Sequence, residues 1–412
     1  MKRKLFSHIL HNKLKYVYVF LLQSKKETSV VSIERLLLFY GHPVDYSVDW
    51  SVLFVPFLTA FFVAAAVTAI GLPLIVKACH YFKFYDLPDG RKVHQTPVPR
   101  LGGIVFMPAA IIGLSASLYT LEDMAQTGVV VSISTLIMAA GSLLIYLIGI
   151  FDDRFGMKAS HKFVIQAVSA LFLPLCGLLI TDMNGIFGLH EIPIWVGYPL
   201  TVILIMTIVN AINLIDGIDG LASGLCIFIL SAYAYVFVQC GHVMIASLDA
   251  AIVGSLVVFW CFNVFGRMGR YKIFMGDAGS LFLGYVCAYM SIKSIMRPIA
   301  PVDCGEEQML ISVTLLLIPV MDVVRVAFQR RLTGHDVFEP DKTHIHHLFM
   351  AVGLSMHGAL ANIMALFALI CVINYSLWQA HFLLPFILLV DACIYAFVVT
   401  VLLRMGQKDN TE

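Results

Sequence analysis

"WVGYPLTVILIMTIVNAINLIDGIDG", residues 195–220, joins two chemistries that do not ordinarily mix. An almost unbroken apolar run ends in Asn210, Asn213, Asp216 and Asp219. About 20 apolar residues suffice to cross a bilayer as a helix. The whole chain is built in the same way: of its 412 residues 60% are hydrophobic and 13% are charged, and the mean hydropathy is +0.88. Soluble domains hold roughly 45–50% apolar and about 25% charged residues. This excess is too large for one buried core, so the solvent for most of the chain is lipid.

Counting outward from residues 195–213 gives eleven apolar runs, near 52–78, 102–120, 129–151, 162–180, 195–213, 221–239, 246–265, 280–296, 309–328, 356–376 and 381–403. The eighth is the least clear, because Lys293 and Arg297 sit near its end. The expected class is an all-α, polytopic membrane protein of about 10–11 transmembrane helices. Nine cysteines are scattered, mostly within apolar runs, without a C-x-x-C pair. They read as small apolar filler rather than as a disulfide framework or a zinc site.

The net charge of +1 conceals a sorted distribution. Connections after odd-numbered runs carry Lys83, Arg91, Lys92 and Arg100, then Arg154 and Lys158, then Arg267, Arg270 and Lys272, then Arg330, Arg331 and Lys342. The others carry almost none apart from Lys293 and Arg297. The positive-inside rule assigns the first set to the cytoplasm. Residues 1–50, with Lys2, Arg3, Lys4, Lys13, Lys15, Lys25, Lys26 and Arg35, do not fit an external start. Either they are not native to the protein, the preferred reading, or they form a basic amphipathic piece on the inner face and the count shifts by one. No secretory signal is seen there: "YVYVFLL" is too short and lacks a small-residue cleavage site.

Five polar clusters follow odd-numbered runs: residues 86–103, 149–156, 210–224, 269–280 and 338–349. Parity alone therefore brings them to one membrane face. Asp152 and Asp153 end the third run; acids at a helix C-terminus oppose the macrodipole and repel each other, costs a divalent cation would relieve. Asn213, Asp216 and Asp219 recur every three residues and in a helix would share a face. Near lipid such charge costs at least ~2.5 kcal/mol, which disfavours a plain turn. Asp277 lies between Gly276 and Gly279, where a carboxylate can hold Mg²⁺ and the N–H groups of the next helix can face phosphate. His344, His346 and His347 have the wrong spacing for zinc. With Lys342, Arg330, Arg331, Lys92, His94 and Arg100 they suggest an anion-binding rim. Asp322 and Arg325 can pair at i,i+3, while Asp249 and Asp391 suggest helix–helix hydrogen bonds. A transporter would place its acids at mid-span, whereas most of these lie at span ends.

At these residues the chain resembles the polyprenyl-phosphate N-acetylhexosamine-1-phosphate transferase superfamily, of glycosyltransferase 4 type. "KVHQTPVPRLGG", "FDDRFG", "NAINLIDGIDGL", "GRYKIFMGDAGSLFLG" and "PDKTHIHHLF" match its motifs in order. It is most similar to the undecaprenyl-phosphate N-acetylglucosamine-1-phosphate transferases that start O-antigen, common-antigen and teichoic-acid linkage synthesis. The muramyl-pentapeptide branch has three adjacent histidines, where Ile345 interrupts the run here. The resemblance covers residues 52–404 as a transferase domain, leaving residues 1–51 outside the pattern and 405–412 as a cytoplasmic tail. It implies a UDP-sugar donor, an undecaprenyl phosphate acceptor, Mg²⁺ with Mn²⁺ as a substitute, and UMP as product. The site would lie on the cytoplasmic face of a bacterial inner membrane, with membrane lipid and no nucleic acid as partner. The sugar, the downstream polymer and the oligomeric state, a homodimer included, stay open.

Carried over by residue, the resemblance implies that Asp152 and Asp153 act near metal and acceptor phosphate. Asp277 becomes the metal ligand, and Phe274 stacks uracil. Asn213, Asp216 and Asp219 line the nucleotide–metal pocket, with Asn213 a further metal ligand. His344, His346 and His347 hold diphosphate or sugar, and Lys92, His94 and Arg100 extend the substrate surface.

Overall fold

The computed structural model describes residues 50–86, 97–125, 133–183, 186–240, 242–266, 271–296, 305–334 and 342–408. They contain twelve α-helices: α1 Trp50–Phe82, α2 Phe106–Ala125, α3 Ile133–Phe155, α4 Ala159–Leu175, α5 Ile194–Ile215, α6 Leu221–Gln239, α7 Val243–Phe265, α8 Gly276–Ile295, α9 Gly305–Leu332, α10 Ile345–Ala351, α11 Met356–Gln379 and α12 Leu384–Lys408. Ten of them are long and apolar enough to cross a membrane. The two exceptions are α10, with 7 residues, and α4, with 17.

The eleven-run count is corrected at α4, which is shorter than the expected 162–180 and falls below the length of a full span. The chain must nevertheless return there. The C-terminal ends of α3 and α5 both meet the N-terminus of α8, through Asp153 and Asn213 respectively. Two consecutive full spans end on opposite faces, so α4 and its connection carry the chain back. At 1.5 Å per residue α4 supplies about 25 Å of that distance. The alternation of faces read from the sequence therefore survives.

The eighth run, expected to be the least clear, is the most enclosed helix of the bundle. α8 packs on α3, α5, α6 and α9, and nearly every residue from Ala278 to Ile295 is buried. Small residues allow this: Gly149 of α3 lies against Ala278, and Gly284 lies against Val209 of α5. Lys293 is the exception, a half-buried cation in the last turn of α8, the end where the macrodipole favours positive charge.

A two-stranded antiparallel ribbon pairs β1 (Tyr85–Asp86) with β2 (Val98–Pro99). Residues 271–275 run beside β2 and the turn after it: Phe274 N–H donates to Pro99 O at 2.8 Å, and Phe274 O and Met275 O accept from the N–H groups of Gly102 and Gly103 at 2.9 and 2.7 Å. This lacing delivers Arg100 to the start of α8. The described cysteines are free thiols.

Candidate functional site at the acidic helix ends

Asp152 and Asp153 occupy the last turn of α3, and Asp277 the first turn of α8. The fully buried Asp153 carboxylate accepts from the N–H groups of Asp277 and Ala278 at 2.9 and 3.0 Å, and from Arg100 Nε at 2.9 Å. An acid at the C-terminus of one helix is thus stabilised by the N-terminus of another. This bears on one expectation: of the free N–H groups of α8 that were to face phosphate, those of Asp277 and Ala278 are taken by Asp153.

Asp152 accepts from Met157 N–H at 2.6 Å and from Lys162 Nζ at 3.0 Å. Lys162 reaches Asp277 Oδ2 at 2.5 Å, while Asp277 Oδ1 accepts from Asn213 Nδ2 at 3.0 Å and lies 3.7 Å from Arg100. Asn213 also donates to Ser280 Oγ at 2.8 Å. Burial works against the charge of Arg100, but Asp153, Asp277 and Asp86 hold it firmly protonated. The repulsion between adjacent acids is thus relieved by the protein's own cations. Lys162, which sequence reasoning passed over as the start of an apolar run, is one of them.

Gly276 makes the corner possible. Its φ of +75° suits glycine alone, and a Cβ there would meet Asp153 Oδ2 at 2.6 Å as well as the Arg100 carbonyl.

α5 ends at Ile215, so Asn213, Asp216 and Asp219 do not share a helical face as expected. The two glycines of the motif divert the chain into a turn, with Gly220 at φ +78°. Asn213 stays on the helix and joins Asp277. Asp216 follows, and burial together with the carboxylates of Asp277, Asp219 and Asp153 pushes its pKa up to about 8. Asp219 points elsewhere, and its carboxylate pairs with Lys272 and accepts from Asn263 Nδ2 at 3.3 Å. Asn263 also accepts from Gly220 N–H at 2.7 Å and donates to Ile273 O at 2.9 Å, locking α7 to the turn.

The histidines reach the same turn from the other side. His346 is 1% exposed, and its ring fills the place where a Cβ on Gly217 would sit. It lies parallel to His344 at 6.0 Å and tilted to His347 at 4.2 Å. Burial and these neighbours lower its pKa to about 3, so it is neutral. Phe274 is half-buried in the segment beside β2. Lys92 and His94 lie outside the described residues. The Asp322–Arg325 pair forms as expected, at 2.8 Å. Asp391 accepts from Asn374 at 3.0 Å, whereas Asp249 has no hydrogen-bond partner among the described residues.

Among the described residues no three histidine, cysteine or carboxylate side chains are gathered around one metal-sized point. The Lys162 ammonium instead occupies the position between Asp152 and Asp277. The donor set nevertheless suits a hard divalent cation, since all donors are oxygens. Charge points the same way: Asp152, Asp153 and Asp277 outnumber Arg100 and Lys162.

Fold and site together define a multi-pass α-helical membrane protein whose span ends gather acids, cations and imidazoles at one face. The description "Glycosyl transferase family 4" matches residues 135–295, which run from α3 to the end of α8. The chain is 33% identical over 300 residues to a Bacillus subtilis (strain 168) protein named "Probable undecaprenyl-phosphate N-acetylglucosaminyl 1-phosphate transferase", covering 72% of this chain and 78% of the relative. It is 29% identical over 311 residues to the Escherichia coli (strain K12) "Undecaprenyl-phosphate alpha-N-acetylglucosaminyl 1-phosphate transferase", covering 74% and 79%. A Yersinia pestis protein of that same name is 31% identical over 319 residues, covering 74% and 82%. The chain belongs to glycosyl transferase family 4.

Proposed function

We propose that this protein transfers N-acetylglucosamine-1-phosphate from UDP-N-acetylglucosamine to undecaprenyl phosphate, releasing UMP and starting a lipid-linked cell-surface polysaccharide such as O-antigen. The site would face the cytoplasm of a bacterial inner membrane, where nucleotide sugars are made; the basic residues of the odd-numbered connections support that orientation. Residues 52–404 would form the transferase domain. The observation that carries the reading is the convergence of Asp152, Asp153, Asn213 and Asp277 with Arg100 and Lys162 at the membrane face. The names of the relatives agree with it.

In the reaction an acceptor phosphate oxygen bonds to the phosphorus that bears the sugar, and the diphosphate bridge breaks toward UMP. A phosphate monoester has a second pKa near ~6, so the acceptor is mostly dianionic at neutral pH and needs no strong base. Positioning and charge relief matter more. Arg100 and Lys162 supply fixed positive charge to phosphate oxygens, and Asp153 holds Arg100 in register with the start of α8. Mg²⁺, held by Asp277 with Asp152 and Asn213, would neutralise the diphosphate charge that these two cations leave uncovered. Asp153, expected as a further ligand, is fully buried with both oxygens taken by N–H donors and is not free to join them. The short connection from α3 to α4 keeps Asp152 and Lys162 together at the edge where a lipid phosphate arrives.

Membranes containing the protein should be supplied with undecaprenyl phosphate and, separately, with several radiolabelled UDP-N-acetylhexosamines. Labelled lipid formed chiefly from UDP-N-acetylglucosamine is the expected result. Preference for another UDP-sugar keeps the reaction and changes the donor, while no labelled lipid from any of them overturns the reading.

A further inference from the structure

The acids around Lys162 lie within residues 135–295, but the histidine segment is anchored by side chains beyond that stretch. Asp322 of α9 is 1% exposed. Its Oδ2 bonds His344 Nδ1 at 2.7 Å. Its Oδ1 accepts from Arg325 at 2.8 Å, from Ile345 N–H at 2.9 Å and from Tyr395 Oη of α12 at 3.0 Å. The Arg325 guanidinium also donates to Thr343 O at 2.5 Å. Helix α10 begins at Ile345, with His344 as a cap residue that makes no capping bond of its own. Asp322 supplies that cap from another helix.

An ionised carboxylate can only accept, so His344 Nδ1 has to be the donor in its bond to Asp322 Oδ2, and its proton is fixed there. Nε2 is left to face outward from that bond. The parallel ring of His346 then ties this orientation to Gly217 and the Asp216–Asp219 turn.

We propose that Asp322 is a positioning residue for the transfer reaction: it locks His344 with Nδ1–H inward and presents Nε2 as an acceptor to a hydroxyl or amide N–H of the nucleotide sugar bound at this face, while Arg325 and Tyr395 hold its carboxylate in place. This rests on the reading that the face binds a nucleotide-sugar diphosphate. It makes α9 and the C-terminal helix α12 part of the site, although neither falls within residues 135–295.

The alternative is a buried acid that merely caps a short helix, and a double-mutant cycle on the full-length protein separates the two. Asp322→Asn preserves size and can still accept from Arg325, Tyr395 and Ile345, but its amide donates to Nδ1 and forces the proton to Nε2. The expected loss in kcat is on the order of 10–100-fold, the size seen when the outer partner that orients a ligating imidazole is removed, with KM for UDP-N-acetylglucosamine within about threefold. His344→Gln should lose a similar amount, and the double variant should be no worse than His344→Gln alone. Tyr395→Phe should cost a few-fold in the wild-type background and nothing in the His344→Gln background. Losses that multiply, or an unaffected Asp322→Asn, overturn the proposal.

A second measurement does not depend on turnover. In ¹⁵N-histidine-labelled protein in nanodiscs, the His344 signals, assigned by their loss in His344→Gln, should show protonated Nδ1 in the wild type. In Asp322→Asn they should show protonated Nε2. An unchanged tautomer overturns the proposal even if the protein transfers no sugar phosphate, the outcome that would overturn the functional reading instead. Should Asp322→Asn fail to insert, Tyr395→Phe carries the test, through disordered or mixed His344 tautomers against a single unchanged one.

Discussion

Asp277 and Asp249 both lie in helices that cross the membrane, yet their surroundings differ in every respect that matters. Asp277 sits in the first turn of α8 and meets Lys162, Asn213 and Arg100. Asp249 is enclosed in α7 with neither carboxylate oxygen hydrogen-bonded among the described residues. The first is a charge made tolerable by converging partners at a helix end; the second is an isolated polar group in the interior. Burial of an acid is therefore not what marks the site. Convergence of other charges upon it is.

The largest effect expected from this contrast is at Asp277. Asp277→Asn keeps the shape and removes the charge that a hard cation and Lys162 require. Charge stabilisation of several kcal/mol is at stake, at ~1.36 kcal/mol per tenfold, so turnover should fall by two or more orders of magnitude while insertion is unaffected. Next comes Gly276→Ala, where left-handed backbone strain of about 1–2 kcal/mol adds to the collision with Asp153. Activity should fall roughly tenfold or more, and the thermal midpoint should drop with it.

Asp216 gives a smaller, pH-dependent signature. Its folded-state pKa, about 8, lies above the ordinary value of 3.8. The folded protein therefore holds this proton more tightly than the unfolded chain does, and the resulting stability is present at low pH and lost as pH rises through about 8. In chelator, thermal midpoints should fall as pH rises from about 5 to about 8 and level off above that, and Asp216→Asn should flatten that slope. Added Mg²⁺ should restore the midpoint at the alkaline end in the wild type. A slope of opposite sign would contradict the electrostatic picture.

Asp249→Asn should leave transfer within about threefold of wild type and the thermal midpoint unchanged or raised, because no existing hydrogen bond is broken. The smallest effect is expected from removing residues 1–50, which contain none of the proposed site residues. A truncated protein that inserts normally but is inactive would refute that expectation.

Much of this contrast was legible in the sequence. Asp152, Asp153 and Asp277 are conspicuous because lipid makes acids costly, and span parity was enough to bring them together. Parity held even where the span count did not, because α4 returns the chain despite its 17 residues. Other features left weaker traces. Lys162 reads as the polar start of an apolar run, and only the packing of α4 against α3 reveals it between two acids. The end of α5 at Ile215 was obscured by a three-residue acid spacing that mimics a helical face, which the two glycines interrupt. Asp322 and His344 are 22 residues apart, too far for local patterning, and Tyr395 comes from another helix. The neighbouring Arg325 drew attention to the ion pair and away from the histidine.

The central claim is that a sugar-1-phosphate, rather than a sugar, is moved. Purified protein should be given undecaprenyl phosphate, Mg²⁺ and UDP-N-acetylglucosamine carrying ³²P in either the uridine-linked or the sugar-linked phosphate. The expected result is sugar-linked label in the lipid product and uridine-linked label in UMP. Release of both labels together as UDP, with unlabelled phosphate in the lipid, would contradict the account.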